Sequence, residues 1–66
     1  MYAKDLPHDI RFWFLGADQD TGELEQVVPL PVAHDAFKRG LVRESQGTWL
    51  LTPQGRVAHN ELLNGV

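Results

Sequence analysis

The run of turn and cap signals between residues 40 and 56 limits most strongly what this chain can fold into. Gly40-Leu41-Val42-Arg43-Glu44 leads into Ser45-Gln46-Gly47, then Thr48-Trp49-Leu50-Leu51, then Thr52-Pro53-Gln54-Gly55-Arg56. Branched and aromatic residues on both sides of a glycine-bearing turn predict a β-hairpin over residues 41–44 and 48–51. The next residues predict a helix start. Thr52 can accept a hydrogen bond from a first-turn amide, and Pro53 takes a position whose own amide would have no partner. The hairpin therefore feeds directly into a capped helix, with Val57, Ala58 and Leu62 as its inward stripe and Gly65 as its terminator.

Upstream, residues 10–15 are rich in aromatic and branched side chains and predict a strand, with Ile10, Phe12 and Phe14 on one face and Trp13 and Leu15 on the other. Residues 16–22 predict a turn and residues 23–28 the return strand, ended by Pro29 and Pro31, which lack the amide that a ladder needs. A helix then runs from Pro31 to about Arg39, with Val32, Ala33, Ala36 and Phe37 on one stripe and Gly40 closing it. So short a helix holds only if it packs on a sheet. The expected order is ββαββα. This is an α+β domain spanning residues 1–66, with residues 1–9 as an arm and a four-stranded antiparallel sheet in two hairpins. Two short helices pack on one face of that sheet, over a core of Ile10, Phe12, Phe14, Phe37, Leu41, Leu51, Ala58 and Leu62.

The two halves echo each other at a spacing of 25 residues: Val32-Ala33-His34-Asp35 against Val57-Ala58-His59-Asn60, Phe37 against Leu62, Gly22 against Gly47, and Gly40 against Gly65. A duplicated ββα unit and a chance likeness between two short amphipathic helices both explain the pattern.

The short Gly40-Leu41-Val42 strand, the glycine-tipped turn and the Leu51-Thr52-Pro53-Gln54-Gly55-Arg56 helix start resemble the back half of a winged-helix DNA-binding domain, over about a third of the chain. The resemblance implies a small regulatory protein acting on DNA or on a transcription complex. It makes the helix over residues 31–39 the reading helix. Two departures stand out: the wing tip carries no cation, and a hairpin is expected where the family has its first two helices.

Charge weighs on that expectation. The formal net charge is -3, and residues 1–31 hold six carboxylates against only Lys4 and Arg11. An acidic half repels a phosphate backbone, so DNA binding would need Lys38, Arg39, Arg43 and Arg56 gathered on one face. The bland reading, which surface statistics favour, makes the same four residues cations that solubilise a helix and a strand. A second class of function is a protein-interaction module or inhibitor, of a kind a phage or other mobile element could carry. Here Trp13, Leu15 and Trp49 form an aromatic sheet face for a partner or a second copy, with Tyr2 nearby. The alternative for the tryptophans is burial under the N-terminal arm.

The chain has no cysteine, so disulfides and thiol chemistry are excluded and the natural setting is the cytoplasm. A chain of 66 residues buries little surface, which makes self-association into a homodimer or a protein partner the expected source of extra stability. No apolar run has the length of a leader or a membrane span, and a soluble, unprocessed chain is expected. No catalytic constellation, cofactor motif, small-molecule site or metal-ligand spacing is present. His8, His34 and His59 are read as partly exposed, and Asp18 and Asp20 as turn residues rather than a calcium loop.

Overall fold

The computed structural model describes residues 5–64, so Tyr2 and Gly65 lie outside the described residues. The elements run α1 (His8–Leu15), α2 (Leu30–Lys38), β1 (Val42–Ser45), β2 (Thr48–Leu51) and α3 (Pro53–Leu63). The chain is α+β with three helices and a two-stranded antiparallel sheet among the described residues, which overturns the four-stranded ββαββα expectation.

The first correction concerns residues 10–15, which lie in helix α1 rather than in a strand. Ile10, Phe12 and Phe14 satisfy a period of two, but Leu6, Ile10, Trp13, Phe14 and Ala17 satisfy the helical period over a longer span. The core follows the longer pattern: Leu6, Ile10, Trp13 and Phe14 are buried, while Phe12 is 73% exposed. Asp9 in the first turn adds a favourable charge at the helix start.

The second correction concerns residues 23–28, which make a single antiparallel bridge, Glu23 to Leu50, in place of a full strand. The amide of Leu51 donates to the Gly22 carbonyl (2.8 Å) and that of Leu24 to the Trp49 carbonyl (3.0 Å). Two residues on, the side chain of Gln26 replaces the backbone: its Oε1 accepts from the Trp49 amide at 3.0 Å, and its Nε2 donates to the Leu24 carbonyl. The edge of β2 is thus satisfied by a short stretch of chain and one side-chain amide. Asp18 sets the preceding turn, its Oδ1 accepting from the amides of Asp20 (2.8 Å) and Thr21 (3.2 Å).

From α2 onward, local chemistry and fold agree. Gly40 (φ 77°) ends α2 in a Schellman closure: its amide donates to the Phe37 carbonyl (2.9 Å) and that of Leu41 to Ala36 (3.1 Å). Gln46 (φ 53°) and Gly47 (φ 78°) form the two-residue turn that joins Ser45 to Thr48. Positive φ at both positions gives the twist that a two-residue hairpin favours. Thr52 caps α3, its Oγ1 accepting from the Gly55 amide (3.0 Å) while donating to the Gly40 carbonyl (2.6 Å). One hydroxyl therefore joins the end of α2 to the start of α3. Gly55 completes this lock, because a Cβ there would overlap the Leu41 carbonyl oxygen, a backbone atom.

The hairpin-then-helix unit occurs once among the described residues, so the 25-residue echo does not extend to architecture. The core differs from expectation at Phe12 and at Phe37, which is 55% exposed. Leu62 is only partly buried, and Val57 on α3 is exposed while His59 is buried.

Candidate functional site

The four sequence-predicted cations take unequal places. Lys38 is the last residue of α2 and Arg43 lies on β1; both are exposed and neither is in an ion pair among the described residues. Arg39, just past α2, is held by Asp35, Nε to Oδ1 at 3.0 Å. Arg56 at the start of α3 donates to the Gln19 carbonyl at 3.3 Å, on the turn before Gly22. Two of the four are thus engaged within the fold. The exposed surface of α2 also carries Leu30 and Phe37, apolar groups ill suited to a phosphate backbone.

The expected aromatic interface divides as well. Trp13 is 5% exposed and belongs to the core, because α1 turns it inward beside Phe14. Its Nε1–H donates to the Glu25 carbonyl at 2.9 Å, satisfying the indole and tying Glu25 to the helix. Trp49 is partly buried, edge-on to Trp13 (centroids 6.1 Å apart) and to Phe37 (6.4 Å). Of the expected trio only Leu15 remains a large exposed apolar residue, at 56%.

What the strand reading missed lies beside it. Because residues 8–15 are helical, α1 has apolar side chains on two sides, and one face packs inward through Ile10, Trp13 and Phe14. The other presents Phe12 and Leu15. These two, with Val27 and Val28 of the connecting segment and Val32 of α2, line an open groove of about 710 Å³. Val27 is 94% exposed, and Leu30 at the start of α2 is 64% exposed. The charged and titratable lining of the groove is His8, Asp9 and Glu25, all exposed. A helical reading anchored on Leu6, Ile10, Trp13 and Ala17 would have found Phe12 and Leu15 as surplus apolar positions.

A smaller hollow of about 200 Å³ lies between Gln19, Arg56, His59, Asn60 and Leu63. His59, expected at a helix flank, is instead 5% exposed, and its Nε2 has no hydrogen-bond partner. Burial, and secondarily the charge of Arg56, lowers its pKa below the ordinary histidine value. His34 and His8 are exposed. Among the described residues no three His, Asp or Glu side chains are grouped to hold a metal ion, and no helix is long and apolar enough to cross a membrane.

The surface that stands out is the groove, where large apolar side chains are left in water while the hairpin and its cap are consumed by the fold. Comparison of the chain with protein-family models, with curated proteins and with solved structures finds no match.

Proposed function

We propose that this chain is a small non-enzymatic binding module that acts through protein contact, with the groove between α1 and residues 25–29 as its contact surface. One observation carries the reading: Phe12, Leu15 and Val27 are 73%, 56% and 94% exposed around a single concavity. Scattered apolar residues on a surface need no explanation, but several large ones gathered around one groove mark an interaction site. The two walls of the groove are tied together at one point, where Trp13 donates to the Glu25 carbonyl. The glycine-tipped hairpin running into a Thr-Pro helix start supports a winged-helix-like regulatory role, exerted here on a protein complex such as a transcription assembly.

Direct DNA contact is the second reading, favoured by Lys38 and Arg43, which are exposed at a helix end and on the hairpin with no ion pair among the described residues. Parallel experiments separate the two. The tagged chain, its Val27→Asp variant and its Lys38→Ala/Arg43→Ala variant are compared in co-purification and in gel shift at low salt. Protein contact through the groove predicts one partner kept by the cation variant and lost by Val27→Asp. Retardation of DNA by the parent and by Val27→Asp, abolished in the cation variant and steeply weakened by salt, would replace the first reading with the second.

A further inference from the structure

Resting on the groove being a contact surface, we infer that its occupant is an apolar segment of another protein flanked by lysine or arginine. The inference comes from what lines the groove and what does not. Phe12, Leu15, Val27 and Val28 supply the apolar contact, Asp9 and Glu25 supply carboxylates, and neither lysine nor arginine lines it. His8 is the one nitrogen-bearing titratable group there.

The stretch of chain that carries most of the lining has the same sign. The described residues from Asp5 to Pro31 contain one cation, Arg11, against Asp5, Asp9, Asp18, Asp20, Glu23 and Glu25. A groove of low polarity rimmed by one sign of charge attracts the opposite sign and repels its own. A phosphate backbone is therefore repelled by this face.

A second copy is disfavoured by the same charges. Two identical grooves meeting about a twofold axis would gather Asp9 and Glu25 of both copies in one contact with no lysine or arginine of either lining to pair with them. The complementary occupant presents leucine-like side chains to Phe12 and Val27 and places ammonium or guanidinium groups at Asp9 and Glu25, the pattern of an amphipathic basic segment laid into a groove.

The test uses the whole chain and three synthetic peptides that share one set of leucines at helical spacing and differ only at their polar positions, which are lysine, glutamine or glutamate. Binding is measured by calorimetry at low and at high salt. The lysine peptide is expected to bind about tenfold more tightly than the glutamine peptide, the scale of two partly exposed ion pairs, and the glutamate peptide more weakly than both. The preference should shrink at high salt. Asp9→Asn/Glu25→Gln should abolish the preference, bringing the lysine and glutamine peptides to equal affinity, and Phe12→Ser/Val27→Ser should weaken all three.

Equal affinities, or a preference for glutamate, would overturn the inference about charge while the apolar contact stood. Binding that ignores Phe12→Ser/Val27→Ser, or no binding of any peptide, would overturn the contact surface itself. A dimer in sedimentation that Val27→Asp disperses would identify the occupant as a second copy and overturn the inference.

Discussion

The hairpin-to-α3 region and the α1 groove use their side chains in opposite ways. Around Gly40, Thr52 and Gly55 each distinctive residue is spent on the fold: a left-handed helix end, a hydroxyl that bonds two helix termini, and a position with no room for a Cβ. Around Phe12, Leu15 and Val27 the side chains are left mostly in water by the described fold. The difference teaches that a recognisable motif here is mechanical, and that a binding surface is better sought among residues the fold leaves over. Changes in the first region should alter stability, and changes in the second should alter binding.

The largest stability effect is expected for Gly55→Ala. The added methyl meets a backbone oxygen rather than a flexible side chain, so α3 must shift away from Leu41. Overpacking of this kind costs about 1–3 kcal/mol or more, which outweighs the ~1 kcal/mol of helix propensity that alanine regains. Urea denaturation should show a much lower midpoint, or no folded chain at all. A midpoint equal to the parent's would mean that α3 does not sit tightly against Leu41, and the contrast between the two regions would lose one side.

Thr52→Ala comes next, at about 1–2 kcal/mol, since it removes the N-cap bond to Gly55 and leaves the Gly40 carbonyl without its hydroxyl donor. Thr52→Ser should recover most of the loss in the same denaturation assay, because the hydroxyl and not the methyl carries both bonds.

His59 gives the stability a pH dependence of known sign. Its pKa is lowered in the folded chain, so the unfolded chain binds the proton more readily. Stability is therefore full above the ordinary value of about 6.5 and falls as the pH drops through it, until the folded imidazole itself is protonated. Thermal melts across that range should slope downward toward acid in the parent and flatten in His59→Gln. An unchanged slope would assign the effect to other groups.

Legibility from sequence tracks how local the physics is. The cap at Thr52, the helix end at Gly40 and the turn at Gly47 each depend on a few neighbours, and each is where the residue types point. Residues 10–15 satisfy two periods at once, and only the longer ladder from Leu6 to Ala17 separates them. The missing second hairpin is a tertiary outcome: residues 22–26 meet β2 through one bridge and the Gln26 side chain, an economy that no propensity reveals. The apolar surplus at Phe12 and Leu15 was hidden by the choice of period, because these positions become surplus only once α1 is a helix, while their meeting with Val27 in one groove required the fold. The cations were visible as residues, but the engagement of Arg39 with Asp35 and of Arg56 with Gln19 required the fold.

The smallest stability effect belongs to Val27→Ser, expected within about 0.5 kcal/mol of the parent because the side chain is already in water. The same substitution should weaken binding of a groove ligand, which makes it the clean converse of Gly55→Ala. A large loss of stability would show that Val27 is covered in solution.

The most direct test of the central claim is a map of amide chemical shifts on the labelled chain during titration with the lysine-flanked apolar peptide. The account predicts shifts concentrated at Phe12, Leu15, Gly16, Glu25 and Val27, with Arg43, Gln46 and Gly47 unmoved. Shifts at the hairpin and the end of α2, with the groove silent, would contradict it.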